Sequence, residues 1–213
     1  MKTILFSSIG KKLMMALTGS CLAIFLIVHL LGNTTIFLGR VTFLSYAEHL
    51  HSIGPVLHVF EFGLLAIFLI HIFFGATLFF ENLSARPNRY AVDKEAGGRT
   101  LGSKTMPYSG AVVLIFTIVH LMNFHFTDKS IPIADIVGNA LSHAPLALFY
   151  ILGLVAVGLH ASHGFWSLWQ TLGVNHPRYN PILQNGALVI STITAAIFIL
   201  IPVLLMLSPG YLQ

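Results

Sequence analysis

Apolar residues in this chain fall into five long blocks, about 13–38, 55–80, 106–126, 144–170 and 181–208, separated by short polar stretches. Each block is close to the ~20 residues that carry a helix across a ~30 Å hydrocarbon core. Among Asp, Glu, Lys and Arg, only Glu61 lies inside a block. The pattern predicts an all-α, polytopic membrane protein with five transmembrane helices in one domain, residues 1–213. The first block is long enough to span, and no small-residue cleavage site follows it. It therefore reads as a span rather than a signal peptide, and the chain is expected to begin as it functions.

Composition agrees. Apolar residues make up 56% of the chain and charged residues 8%, against roughly 25% charged in an ordinary soluble domain. Too few ionic groups remain to cover a globule, which excludes a soluble enzyme. The net charge of +4 raises nucleic acid as a partner, but the basic residues lie between apolar blocks and form no stripe interleaved with aromatics. Membrane topology accounts for them. With the N-terminus in the cytoplasm, the inner segments hold Lys2, Lys11, Lys12, Arg86, Arg89, Lys94, Arg99, Lys104 and Arg178, nine of the eleven basic residues, leaving Arg40 and Lys129 outside. The positive-inside rule thus places the N-terminus inside and the C-terminus outside. Residues 81–105 form the sizeable inner loop. It is read either as a docking surface for a cytoplasmic partner or as a segment that only obeys the charge rule. The single cysteine, Cys21, allows no disulfide framework, and the absence of C-x-x-C-H excludes covalent c-type haem attachment.

Eleven histidines in so apolar a chain call for a physical reason. A strongly polar group in lipid is costly and normally faces the bundle interior with a partner. Four blocks carry mid-span histidines: His29, His71, His120, and His160 with His163. The fifth has none. At 1.5 Å per residue, His71 and His160 each lie about 16 Å from the inner end of their helix, and His29 and His120 about 26 Å and about 20 Å. This ordering makes His71 with His160 an inner pair and His29 with His120 an outer pair. Local sequence divides them the same way. Ile24-Phe-Leu-Ile-Val-His29-Leu30 and Ile115-Phe-Thr-Ile-Val-His120-Leu121 agree at six of seven positions, whereas the other two blocks share His71-x-x-x-Gly75 and His160-x-x-x-Gly164. Gly75 and Gly164 lie one turn along the ligand face and leave room for a flat ring, or else serve only close helix packing.

Zinc favours four tetrahedral ligands, usually with sulfur or carboxylate, whereas these histidines form two facing pairs of neutral imidazoles. Haem iron needs only two axial ligands on opposite faces of an apolar macrocycle. Two b-type haems, held by four of the five helices, are therefore expected, with His29 and His120 on the outer iron and His71 and His160 on the inner. His163, one turn from His160, is an alternative ligand or a contact for a haem propionate. On the outer side, Glu48, His49, His51, His58 and Glu61 form a second polar group. A quinone site needs hydrogen-bond donors and a proton-exchanging group, and Glu61, inside an apolar block, is the candidate for proton transfer. Glu48, His49 and His51 equally suit plain loop residues at the interface.

Several stretches carry a family resemblance. They are Lys11-Lys-Leu-Met-Met-Ala-Leu-Thr-Gly19 leading to His29-Leu-Leu-Gly-Asn33, Ala85-Arg-Pro-Asn-Arg-Tyr90, Ser103-Lys-Thr-Met-Pro-Tyr-Ser-Gly110, and Leu159-His160 through His163-Gly-Phe-Trp-Ser to Gln170-Thr-Leu-Gly173. In order and spacing the chain resembles, over essentially its whole length, the five-helix, two-haem cytochrome b anchor subunit of succinate:quinone oxidoreductases, including menaquinol:fumarate reductases. The resemblance implies axial ligands at His29, His71, His120 and His160, and a place in a bacterial cytoplasmic (inner) membrane. It also implies a flavoprotein subunit that interconverts succinate and fumarate, an iron–sulfur subunit that exchanges electrons with the inner haem, menaquinone or another quinone as membrane carrier, and a possible dimer of the whole complex. Some family members carry a glutamate two residues before the fourth-helix ligand, implicated in proton transfer. Here that position is Gly158. Two further readings stay open: the cytochrome b subunit of a hydrogenase or formate dehydrogenase, and a haem-free transporter with a histidine proton path.

Overall fold

The computed structural model describes residues 6–85 and 100–213. Lys2, Arg86, Arg89, Lys94 and Arg99 lie outside the described residues, and with them most of the expected docking loop and of the Ala85–Tyr90 stretch. The described chain is helical throughout: α1 Ser8–Asn33, a 3-10 turn Thr34–Leu38, α2 Arg40–Ser52, α3 Pro55–Ser84, α4 Leu101–Phe124, α5 Ile133–Ser142, α6 Ala144–Thr171 and α7 Asn180–Leu207. Five segments, those built on α1, α3, α4, α6 and α7, are long and apolar enough to cross a membrane. The N-termini of α1, α4 and α7 and the C-termini of α3 and α6 gather at one end of the bundle, here the first end. The second end carries α2, α5 and the chain's last residues.

The starts of α1 and α4 follow capping groups rather than hydrophobicity. α1 begins at Ser8, ahead of its apolar block, because the Ser7 hydroxyl accepts from the Gly10 amide at 3.0 Å. α4 begins at Leu101 because Thr100 Oγ1 accepts from the Ser103 amide at 3.1 Å. Each side chain satisfies one of the orphan donors of a first turn, so both helices run through lysines that the apolar pattern leaves out. Two segments read from sequence as outer connections are also helical. In α5 the buried residues are Ala134, Val137, Gly138 and Leu141, one amphipathic stripe. α2 enters through Gly39 at φ 94° and hands over to α3 through Gly54 at φ 64°, conformations that glycine reaches without penalty. Glu48, His49 and His51 thus sit on a helix, not in an irregular loop.

The buried core lies toward the second end, where Leu30, Ile36, Phe43, Phe116, Tyr150, Leu154, Phe198 and Leu205 meet α5 and Leu212. There the Arg40 guanidinium binds the Asp135 carboxylate, with Nη2 to Oδ2 at 3.0 Å, and donates to the Leu212 carbonyl. Tyr211 Oη donates to the Phe37 carbonyl at 3.0 Å. At the first end, buried Lys11 pairs with Glu81 and joins α1 to α3. Laterally, α1 packs on α3, α4 on α6, and α7 on α6. At the α6–α7 seam Gly158 meets Ser191 and Ala195, small residues of the kind that let membrane helices approach closely. α7 is the most enclosed span and α3 the least. Val59, Phe60, Phe62, Leu69, Phe73 and Phe80 of α3 point outward, an apolar surface that suits lipid and not water.

A Cβ on Gly153 would lie 2.3 Å from the Phe116 ring, which is itself buried at the α4–α6 contact. Gly153→Ala should overpack this seam and cost about 1–3 kcal/mol, read as a lower denaturant midpoint in detergent; an unchanged midpoint would show that Phe116 can yield. The hydrogen bond from Arg40 holds the Asp135 carboxyl below the ordinary carboxylate range. Because the folded value lies below the unfolded one, the clamp acts at and above that range and is lost as pH falls through the depressed value. Amide exchange at residues 211–213 should stay slow down through the ordinary carboxylate range and accelerate only below it. In Asp135→Asn it should be fast already at neutral pH.

Candidate functional site

Four helices contribute one facing imidazole each, and the rings meet in two pairs. His29 of α1 and His120 of α4 have centroids 5.8 Å apart with planes at 85°. His71 of α3 and His160 of α6 are 6.3 Å apart at 75°. His29 and His120 each lie ten residues beyond the glycine, Gly19 or Gly110, that touches an imidazole of the other pair, which sets the pairs about 15 Å apart along the helix axes. Neither α1 with α4 nor α3 with α6 is among the closely packed helix pairs. The histidines therefore face each other across gaps, while the close packing runs α1 to α3 and α4 to α6.

The two surroundings differ. At the pair nearer the first end, a Cβ on Gly19 would stand 3.4 Å from His71 Cε1, and one on Gly110 would stand 3.2 Å from His160 Cε1. The missing side chains admit the rings. Thr18 Oγ1 lies 3.0 Å from His71 Nδ1, and Ser109 Oγ lies 3.4 Å from His160 Nδ1. The pair nearer the second end is walled by aromatics instead: Phe25 stacked on His29 at 5.3 Å, Phe198 of α7 at 5.9 Å, and Phe116, Phe124 and Tyr150 around His120. Asn123 Nδ2 donates to Tyr150 Oη at 3.1 Å. His29 Nε2 has the Asn33 amide at 3.4 Å, and His120 Nδ1 is buried with no hydrogen-bond partner.

This geometry fits axial haem ligation. Two imidazoles on opposite sides of one iron, at metal–nitrogen distances of about 2.0 Å, put their ring centroids roughly 6 Å apart. Both pairs have that separation. A porphyrin supplies four further nitrogens, so two protein ligands complete each iron.

The other sequence candidates fall in different places. It is the His160 ring, not that of His163, that meets His71. His163 sits where the start of α4 packs on α6, its Cβ 3.1 Å from the Cβ position of Gly102, and its Nδ1 is buried and unpartnered. The Cβ position of Gly75 meets Met15 at ordinary contact distance, and that of Gly164 meets nothing within 4 Å; Gly19 and Gly110 are the glycines against the imidazoles. Gly158 faces α7, its Cβ position 2.9 Å from Ala195 Cβ, so a larger residue there would collide with that helix.

Near the second end, Glu61 Oε2 accepts from His58 Nδ1 at 2.9 Å, and His125 Nδ1, at the end of α4, lies 3.9 Å from Glu61 Oε1. His125 was not singled out in the sequence, where it falls at the edge of an apolar block. The signal that finds it is its position one residue past the end of α4, opposite the first turns of α3. Exposed His49 lines an open hollow of about 480 Å³ together with Thr35, Val41, Thr42, Ser45 and Tyr46. Glu48 is exposed on the same helix, and His51 Nδ1 bonds the Ala47 carbonyl at 2.7 Å. No family model, curated protein or solved structure matches this chain.

Proposed function

We propose that the protein is the di-haem cytochrome b membrane anchor of a succinate:quinone oxidoreductase or menaquinol:fumarate reductase complex. The observation that carries this reading is the presence of two imidazole pairs, 5.8 and 6.3 Å between centroids, each drawn from two helices that do not pack closely. In this reading His71 and His160 hold the inner haem and His29 and His120 the outer. The N-terminus and the first end of the bundle face the cytoplasm, as the bias of lysine and arginine supports. Bound there, the haems would supply one-electron carriage across about half of a ~30 Å hydrocarbon core.

The chain's own residues divide the remaining work. Gly19 and Gly110 admit the inner imidazoles, and Phe25, Phe116, Phe124, Tyr150 and Phe198 exclude water from the outer ones. Glu61, flanked by His58 and His125, exchanges the proton that accompanies menaquinone or another quinone at the outer side. A carboxylate between two imidazoles can pass a proton to either and on to water. His49 with Tyr46 lines the hollow on α2 that admits the carrier's polar headgroup, with Glu48 on the same helix. An iron–sulfur subunit carrying electrons, and behind it a flavoprotein handling the dicarboxylate, would dock at the cytoplasmic end through residues 81–105. The whole complex can dimerise through lipid-facing surface such as that of α3.

The purified chain should carry two b-type haems, seen as a dithionite-reduced spectrum. His120→Ala should remove one and spare the other; two haems retained would break the proposed pairing, and a colourless wild-type chain would favour the histidine-path transporter. Glu61→Gln should slow quinol turnover severalfold with both haems present, and unchanged turnover would confine Glu61 to a structural role.

A further inference from the structure

Aligning His29 with His120 lays Thr18-Gly19 over Ser109-Gly110. In the structure both dipeptides do the same thing to a ring on another helix. The glycine makes room, and the hydroxyl of the preceding residue approaches the ring's Nδ1. Thr18 serves His71 at 3.0 Å, and Ser109 serves His160 at 3.4 Å. The direction of these bonds follows from donor counting. A hydroxyl has one proton. That of Thr18 goes to the Met14 carbonyl at 2.7 Å, and that of Ser109 to the Met106 carbonyl at 3.1 Å. Each oxygen is then free only to accept, so the proton lies on Nδ1 of the imidazole and the lone pair on Nε2.

We propose that Thr18 and Ser109 are positioning residues that lock His71 and His160 in the Nδ1–H tautomer and turn each Nε2 lone pair toward the inner iron. This rests on the haem reading above. A ligating histidine whose second nitrogen donates to an acceptor is fixed in orientation and becomes a stronger base, which favours the more oxidised metal. The outer pair has no such device: His120 Nδ1 has no partner and His29 is contacted through Nε2. The two irons are therefore tuned differently by groups that touch neither of them. Thr18 lies closer to its ring, at 3.0 Å, than Ser109 does at 3.4 Å, so His71 depends more on its hydroxyl than His160 does.

The test is Thr18→Val, which keeps the shape and removes the oxygen, with Thr18→Ser as the conservative control and Ser109→Ala as the weaker case. In the full haem-loaded chain, Thr18→Val should keep two haems, move one midpoint potential positive and leave the other in place. Ser109→Ala should move the same midpoint by less, and Thr18→Ser should restore the wild-type value. Two haems with both midpoints unmoved in Thr18→Val would overturn the proposal. A purely structural threonine would lower haem content or stability without moving a single midpoint. As a second measurement, ¹⁵N-histidine spectra of the full chain prepared without haem, with His71 assigned by His71→Gln, read the tautomer directly. A proton on Nδ1 supports the lock and a proton on Nε2 overturns it, even where Thr18→Val fails to fold. If the wild-type chain takes up no haem, the functional reading fails while the nitrogen spectrum still decides the role of Thr18.

Discussion

A neutral imidazole inside a hydrocarbon layer has two nitrogens that must be satisfied by protein or by a ligand, because no water is at hand. The bundle meets that demand unevenly: His71, His160 and His29 each have a polar group near one nitrogen, whereas His120 Nδ1 has none. It brings the rings to the interior on four separate helices and leaves gaps between the helices whose rings face each other. It places close packing on the other seams, where glycine and alanine allow it. Residues with no polar role are recruited to the same end. Gly153 opens space for Phe116, and Phe116 in turn lies against His120.

The two ends of the bundle are built on different principles. The second end is closed by its own chain: the 3-10 turn, α2, α5 and the last residues fold over the helix tips and are tied by Arg40, Asp135 and Leu212. Aromatic rings fill the space beneath. The first end carries the ion pair of buried Lys11 with Glu81, and its imidazoles are served by small hydroxyl residues and glycines. An apolar cage and a polar cradle impose different electrostatic conditions on otherwise similar pairs of rings. In the proposed relay this difference separates the behaviour of the two halves without any change of ligand.

Much of this was legible in the sequence because membrane helices have few degrees of freedom. Five apolar blocks give five spans, and a fixed rise per residue turns sequence distance from a helix end into depth, so the same two histidine pairs follow from counting. What the count could not see was sideways. Gly75 and Gly164, one turn from the inner histidines on their own helices, looked like the ring-admitting glycines, yet Gly19 and Gly110 on the neighbouring helices lie against the rings. A residue's own helix face says nothing about what a neighbour presents. α5 was hidden because its short amphipathic stripe is weak beside 20-residue apolar runs, α2 because it buries little more than Phe43, and His125 because it ends a span instead of lying within one. The repeated Thr18-Gly19 and Ser109-Gly110 were visible in principle, eleven and ten residues before the outer histidines, once the matching helices are aligned beyond their shared heptapeptide.

The helices come as two like-oriented couples, α1 with α3 and α4 with α6, and each couple carries one ring for either depth. Neither couple contains a complete pair. Any group clasped between facing rings therefore staples the couples together, once near each side of the bilayer, and its binding energy adds directly to the cohesion of the folded chain. α1 also packs on α6, so loss of one staple would weaken the link between the couples without freeing them.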